Sequence, residues 1–251
     1  MTSQGNSNKR SGFIYFIIII AIVIYIATRE DKHSPPPPSN DDYGKLQDEN
    51  EEEEAGPAVL GEPSMARNFY VIFDGSGSMG DDLGGEIKIV GAKKAIVKFL
   101  AQIPEDVNMG LYLFDDYGTR EVVPLEPINK DKLLAAVNES RPGGGTPLAD
   151  AIVYGTNQLK KQRKKQLGYG EYNLIIVTDG QASSIPEASS YAVKNEISIY
   201  AIGLGIGDDH PLNDKEYVVS YTAAEDFNQL TKALIEAVAE SPYFDDKEFK
   251  Q

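Results

Sequence analysis

The 251-residue chain has no cysteine, which excludes a disulfide bond, a thiolate metal site, a cysteine nucleophile and a lipid-bearing cysteine. Histidine is scarce as well, because His33 and His210 are the only two. A serine hydrolase needs a base beside its nucleophile. His33 lies in a proline-rich stretch and His210 in a polar loop, where we expect its ring to be solvated. Neither residue is predicted to serve as such a base.

Basic residues are outnumbered by acidic ones, 24 against 39, and the net charge is −15. Residues 29–63 hold 11 acidic and 3 basic side chains, and residues 64–251 hold 28 and 19. Nucleic-acid phosphates need lysine and arginine to neutralise them. The sequence therefore predicts no nucleic-acid partner. Its hydrophobic content of 41% is ordinary for a globular protein with a sizeable core.

An uncharged run covers residues 12–28 and contains eight isoleucines. At a rise of ~1.5 Å per residue, a helix of this length spans about 25 Å, enough for a thin bilayer. A cleaved signal peptide is the alternative, but a cut after Ala27 would put Tyr25 at the −3 position, where a small residue is needed. We therefore predict a transmembrane anchor. Lys9 and Arg10 precede it, so residues 1–11 are predicted to be cytoplasmic and the remainder periplasmic or extracellular.

Residues 29–65 have the composition of a linker. Pro35–Pro38 predicts extended polyproline II, and the acidic block Asp48–Glu54 repels itself. We expect a disordered, solvated spacer here, and a short tail at residues 243–251.

Residues 66–242 alternate between short apolar runs and amphipathic helical patterns, and are predicted to form one domain. Strands are predicted at Phe69–Phe73, Met109–Phe114, Glu121–Leu125, Leu174–Thr178, Ile197–Gly203 and, more weakly, Tyr217–Thr222. Helical spacing covers residues 89–103, 133–137, 148–159, 187–195 and 227–238. This alternation is typical of an α/β, doubly wound, mostly parallel sheet with helices on both faces. Pro124 restricts its strand to an edge of the sheet, as a hairpin partner.

Five oxygen-bearing side chains follow predicted strands or a glycine-rich turn. They are Asp74, Ser76, Ser78, Thr146 and Asp179. Carboxylate and hydroxyl oxygens suit a hard divalent cation such as Mg²⁺. If the strands that precede Asp74 and Asp179 are neighbours, ~4.8 Å apart, their loops open at the same sheet edge. With only two carboxylates, a divalent ion held there could accept an anionic oxygen from another molecule.

Each of these segments also has a simpler explanation. Residues 74–78 fit a flexible turn or a helix cap. Thr146 before Pro147 fits an N-cap with proline at the first helical position, worth ~1 kcal/mol without any metal. Residues 178–180 fit a common turn after a strand. Only the combination, in this order on an alternating chain, favours a metal site.

That combination resembles the von Willebrand factor type A family, whose metal-ion-dependent adhesion site joins Asp-x-Ser-x-Ser to a later Thr and a later Asp. The resemblance implies a complete site at the five positions named above, on a sheet with one antiparallel edge strand. It implies bound Mg²⁺, with Mn²⁺ or Ca²⁺ as alternatives. It also implies a partner protein whose acidic side chain completes the coordination, and a binding module rather than an enzyme.

Competing interpretations depend on particular positions. An EF-hand would need glycine at Met79 and glutamate at Gly85. A haloacid-dehalogenase-type phosphatase would need a second aspartate at Ser76 to act as its acid or base. A metal-dependent phosphohydrolase and a metal-independent envelope scaffold remain as alternatives to the favoured function, a membrane-anchored, metal-dependent protein-binding module.

Overall fold

The computed structural model describes residues 64–180 and 182–239. The predicted cytoplasmic tail (1–11), the anchor (12–28), nearly all of the linker (29–65) and the C-terminal tail (243–251) lie outside these residues. Among the residues described, no helix is both long enough and apolar enough to cross a membrane.

Eight strands and five helices are present in the described part of the chain. In chain order they are β1 (Arg67–Asp74), β2 (Asp82–Leu83), β3 (Glu86–Ile87), α1 (Lys88–Leu100), β4 (Val107–Asp115), β5 (Gly118–Pro127), α2 (Lys130–Glu139), α3 (Leu148–Lys165), β6 (Glu171–Thr178), α4 (Ile185–Lys194), β7 (Ser198–Leu204), β8 (Ser220–Ala224) and α5 (Phe227–Ala239). A short 3₁₀ helix occupies Gly77–Gly80.

Six strands form the central sheet in the order β5-β4-β1-β6-β7-β8. Neighbouring strands are parallel except for β4 and β5, which are antiparallel. The predicted α/β fold, with a mostly parallel sheet and one antiparallel edge strand, is therefore confirmed. Pro124 is exposed on that edge strand, close to a shift in the β4–β5 register, where its missing N–H removes no ladder hydrogen bond.

Helices cover both faces of the sheet. Because side chains alternate along a strand, the apolar run of β1 is divided between the two faces. Phe69, Val71 and Phe73 belong to the core that β1 shares with α1, α2 and α5. Tyr70 points to the opposite face, where α3 lies against it.

The strand order reverses beside β1, because the chain crosses to β4 on one side and adds β6 on the other. In open α/β sheets, ligands bind beyond the carboxyl ends of the strands at such a point. β1 and β6 are parallel, and Phe73 lies opposite Val177. Asp74, the last residue of β1, and Asp179, the first residue after β6, therefore lie at the same sheet edge.

Two segments differ from the sequence-based expectation. Residues 77–87 form the 3₁₀ helix and the β2–β3 hairpin, which no hydrophobic periodicity in the sequence predicts. The last strand begins at Ser220, later than predicted, because the backbone N–H groups of Tyr217 and Val218 donate to the Asp214 carbonyl and form a turn.

Two glycines provide the space that Tyr70 occupies. Gly110 pairs with Tyr70 across β1 and β4. A Cβ on Gly110 would lie 2.7 Å from the ring atoms Cδ2 and Cε2, and a Cβ on Gly155 would lie 2.9 Å from Cδ1. The Tyr70 hydroxyl donates to Glu121 Oε1 at 2.8 Å. The ring is thus enclosed by β4, β5 and α3.

Gly110→Ala is expected to destabilise the domain by about 1–3 kcal/mol, because the added methyl group overpacks a filled core. The melting temperature should fall by roughly 2–4 °C for each kcal/mol, measured by circular dichroism. Gly207→Ala is the matched control, because a Cβ there meets no atom within 4 Å. It should change stability by less than about 0.5 kcal/mol. Wild-type stability in Gly110→Ala would contradict the packing described for Tyr70.

Candidate metal centre

Asp74 ends β1 and is fully buried. Its Oδ1 accepts the backbone N–H of Ser76 at 2.8 Å, and its Oδ2 accepts the hydroxyl of Thr178 at 2.5 Å. Burial raises the pKa of the Asp74 carboxyl, and the nearby charge of Asp179 raises it further. The hydrogen bonds from Ser76 and Thr178 lower this pKa but do not cancel the rise. A positive charge next to Asp74 would therefore stabilise its ionised form.

Asp179 follows β6, and both of its carboxylate oxygens have partners. Oδ1 accepts the Ser78 hydroxyl at 2.7 Å, and Oδ2 accepts the ammonium of Lys88 at 2.8 Å. The Asp179 side chain is fully buried, and that of Lys88 is 12% exposed. Ser78 Oγ also lies 3.2 Å from Ser76 Oγ. Hydroxyl and carboxylate oxygens thus form a continuous chain from Ser76 to Asp179.

Thr146 reaches the same place from the loop between α2 and α3. A Cβ on Gly180 would lie 3.1 Å from Thr146 Oγ1 and 3.8 Å from Asp74 Oδ2, so the hydroxyl lies close to the two aspartate loops. The capping interpretation is wrong. Pro147, and not Thr146, occupies the N-cap position of α3. At this helix end, which lies within the described residues, no side-chain capping hydrogen bond is formed.

Glycines allow the two loops to approach each other closely. The N–H of Gly77 donates to the Gly144 carbonyl at 3.2 Å, and the N–H of Gly143 donates to the Gly75 carbonyl at 3.0 Å. Gly144 has a φ of 72°, which disfavours other residues. A Cβ on Gly75 would lie 2.9 Å from the Cβ of Asp115. These contacts join the loop that carries Thr146 to the loop that carries Asp74.

The five predicted residues are therefore brought together, and their chemistry fits a hard divalent cation. They offer two carboxylates and three hydroxyls, which are oxygen ligands that Mg²⁺, Mn²⁺ and Ca²⁺ accept. Within residues 64–180 and 182–239, no group of three or more His, Cys, Asp or Glu side chains is arranged to hold a metal. A cation at this site would depend on the serine and threonine hydroxyls.

Three further residues support the site and were not predicted from its motif. The hydroxyl of Thr178 holds Asp74, and the ammonium of Lys88 holds Asp179. The expectation that His210 is solvated is wrong, since only 6% of it is exposed. Its Nδ1 accepts the N–H of Leu212 at 3.1 Å, so its Nε2 carries the proton and donates to the Gly180 carbonyl at 3.0 Å.

The turn between β4 and β5 forms a rim beside the site, in which an exposed aromatic ring lies among arginines and aspartates. Tyr117 is 54% exposed, and the guanidinium carbons of Arg120 and Arg141 lie 5.4 and 5.5 Å from its ring centroid. Asp115, which is buried, pairs with Arg120 at 2.6 Å. The N–H of Asp116 donates to the Arg141 carbonyl at 3.1 Å, which attaches this turn to the segment leading to Thr146.

Comparison with known sequences identifies relatives over the described region. The family model of the von Willebrand factor type A domain matches residues 68–237. The uncharacterized proteins YwmD and YwmC of Bacillus subtilis (strain 168) are 30% and 29% identical to this chain over 140 and 133 residues. These matches cover 51% and 48% of the chain and 61% and 57% of the two relatives. The chain thus spans less than two thirds of either relative.

Solved structures with the same fold are more distant in sequence. The pilus adhesin SpaC from Lactobacillus rhamnosus GG has a TM-score of 0.55 at 16% identity, over 71% of this chain and 31% of that one. BatB from Bacteroides thetaiotaomicron has a TM-score of 0.51 at 17% identity, over 68% of this chain and 96% of that one. At these identities the likeness concerns the fold alone.

Asp74→Asn tests the cost of the buried charge in EDTA-treated protein. A carboxyl whose pKa is raised by folding binds its proton more tightly in the folded state, so stability falls as pH rises from the ordinary value of 3.8 through the folded pKa. Asparagine removes this cost and keeps a similar shape. We expect Asp74→Asn to melt at a higher temperature than wild type at pH 7, with a difference that shrinks toward pH 4.

A pH series of melting temperatures provides the measurement. Asp82→Asn is the control, because Asp82 is exposed and its Oδ1 only accepts the Gly85 N–H within the hairpin turn. Its difference from wild type should remain small at every pH. An Asp74→Asn variant less stable than wild type across the series would contradict the proposed charge cost.

Proposed function

This chain belongs to the von Willebrand factor type A domain family, and from that premise we propose that it is a protein-binding module that depends on a divalent metal. Its metal ligands are Asp74, Ser76, Ser78, Thr146 and Asp179. The proposed metal is Mg²⁺, with Mn²⁺ or Ca²⁺ as alternatives, and a carboxylate of the partner protein completes the coordination. The family consists typically of adhesion or scaffold domains, so no catalytic step is assigned to this chain.

One observation carries the proposal: five oxygen-bearing residues from three separate loops meet at the switch point of the sheet. Ser76 Oγ lies 3.2 Å from Ser78 Oγ, and the Ser78 hydroxyl donates to Asp179 Oδ1 at 2.7 Å. The Thr146 hydroxyl lies beside them although the helix that follows does not use it as a cap. Two buried carboxylates in so small a space favour a positive charge between them.

When bound, the metal would supply a Lewis-acid centre that can accept a carboxylate oxygen from another molecule. The residues of this chain would leave room for that contact. Asp74 and Asp179 would offset the two charges of a divalent ion, and the hydroxyls of Ser76, Ser78 and Thr146 would bind it without adding charge. Five ligands leave one position of a six-coordinate cation open, which an acidic side chain of a partner would fill.

The rim offers further contacts to a partner. Arg120 and Arg141 lie next to the candidate site and flank the exposed ring of Tyr117, and Asp115 pairs with Arg120. Tyrosine and arginine, together with tryptophan, are enriched at the energetically important positions of protein interfaces. The similarity in fold to the pilus adhesin SpaC is consistent with a role in adhesion.

The location of the domain is part of the proposal and depends on the sequence alone. Residues 12–28 are proposed as a membrane anchor, with residues 1–11 in the cytoplasm and residues 29–65 as a spacer. The binding domain, residues 66–242, then lies in the periplasm or outside the cell. Protease added outside the cytoplasmic membrane should digest the domain, and complete protection of the domain would refute this orientation.

Mg²⁺ at millimolar concentration is expected to raise the melting temperature of the wild-type domain. A ligand at about 100 times its dissociation constant adds about 2.7 kcal/mol to the free energy of unfolding. Thr146→Ala and Asp74→Asn should abolish the shift, because each removes a proposed ligand. Asp82→Asn should retain it. A wild-type domain that fails to respond to Mg²⁺, Mn²⁺ and Ca²⁺ would favour the metal-independent scaffold.

Partner binding is tested by capture from solubilised membranes on the immobilised domain, in Mg²⁺ and in EDTA. We expect a protein retained by wild type and by Asp82→Asn in Mg²⁺, and lost in EDTA or with Thr146→Ala. Replacing acidic residues of that protein should then identify the carboxylate that completes the site. Equal capture in EDTA and Mg²⁺ would refute metal dependence.

Hydrolysis of a generic phosphoester, lost on Asp74→Asn, would instead favour a phosphohydrolase.

A further inference from the structure

Lys88 introduces a positive charge at the proposed metal site without belonging to the metal-binding motif. It is the first residue of α1, and its ammonium lies 2.8 Å from Asp179 Oδ2. The stem of Lys88 passes close to Gly205, where a Cβ would lie 3.7 Å from the Lys88 Cε. With 12% of the side chain exposed, this ammonium is largely screened from water, so its charge acts strongly on its neighbours.

The backbone around Lys88 holds this side chain in place. Its N–H donates to the Asp81 carbonyl at 2.9 Å, which closes the β2–β3 hairpin onto the start of α1. Leu83 of the hairpin also lies close to Gly205, with a Cβ there 3.2 Å from the Leu83 Cδ1. The hairpin and the end of β7 thus direct the lysine toward Asp179.

The pairing leaves no oxygen of Asp179 without a partner. Oδ1 accepts the Ser78 hydroxyl, and Oδ2 accepts the Lys88 ammonium. Since the site has two buried carboxylates, Lys88 offsets one of their two negative charges. A divalent cation that binds between Asp74 and Asp179 must do so next to an ammonium that already occupies one carboxylate oxygen.

We infer that Lys88 is an internal counter-cation that competes with the divalent metal for Asp179 and weakens metal binding when no partner is present. The inference rests on the proposed function, because it assigns a regulatory residue to the same site. In the metal-loaded site, the charges of a divalent ion, two carboxylates and one ammonium sum to +1, and a single carboxylate from the partner neutralises that excess.

Lys88→Met removes the charge and keeps an unbranched side chain of similar length. A unit charge within about 4–6 Å changes the affinity of a carboxylate for a proton by about 10- to 1,000-fold. Because a divalent ion carries twice the charge of a proton, removing the ammonium should raise the affinity for the metal at least as much. We therefore expect Lys88→Met to bind Mg²⁺ or Mn²⁺ about tenfold or more tightly than wild type, as measured by isothermal titration calorimetry. Lys88→Gln should show the same direction and provides a second variant should Lys88→Met fail to fold.

Lys94→Met is the matched control. Lys94 lies on the same helix, and its exposed ammonium pairs with Glu86. The metal affinity of Lys94→Met should stay within about twofold of wild type, since an exposed surface charge is screened by solvent. Melting temperatures give a second readout. In EDTA, Lys88→Met should melt below wild type because Asp179 loses its counter-charge, and saturating Mg²⁺ should reduce that deficit.

The outcomes separate the two proposals. Metal affinity in Lys88→Met and Lys88→Gln that equals or falls below that of wild type would overturn the inference and leave the proposed function intact. Tight binding by the variants where wild type binds weakly would support both. No binding of Mg²⁺, Mn²⁺ or Ca²⁺ by wild type or by either variant would overturn both.

Discussion

Two carboxylates buried side by side at the end of a parallel sheet impose the constraint on which the rest of this structure depends. Asp74 ends β1 and Asp179 follows the neighbouring strand β6, and burial together with the charge of Asp179 raises the pKa of the Asp74 carboxyl. Each buried carboxylate needs hydrogen bonds or a positive charge to stay ionised. The Thr178 hydroxyl and the Ser76 N–H donate to Asp74, whereas the Ser78 hydroxyl and the Lys88 ammonium donate to Asp179. The surrounding loops hold these donors in position.

The same constraint explains the composition of those loops. Hydroxyls and backbone N–H groups must come within hydrogen-bond distance of both carboxylates, and bulky residues would keep the loops apart. Glycine at 75, 77, 143 and 144 allows the loop after β1 and the loop before α3 to exchange backbone hydrogen bonds. His210 fixes a third loop through the Gly180 carbonyl. A metal would therefore find its oxygen ligands largely in place, which lowers the ordering cost of binding.

Much of the fold and the five candidate residues could be predicted from the sequence, for identifiable reasons. Buried strands such as Phe69–Phe73 show continuous apolar runs, and the helices show a clear 3.6-residue period. The order of Asp74, Thr146 and Asp179 along an alternating chain then places them at one sheet edge. The roles of Lys88 and His210 could not be predicted in this way. Each contacts the site through side-chain geometry set by the β2–β3 hairpin or by a polar loop, and neither segment has a periodic pattern to indicate its position.

The central claim is that one divalent cation binds between these two aspartates and the three hydroxyls. The most direct measurement is anomalous diffraction near the manganese edge from crystals of the domain grown with Mn²⁺. We predict a single strong peak within about 2–2.6 Å of the Ser76 and Ser78 hydroxyl oxygens, the range of metal–oxygen distances for hard cations. At saturating Mn²⁺, a map without a peak at these residues, or with its only strong peak elsewhere on the domain, would contradict the claim.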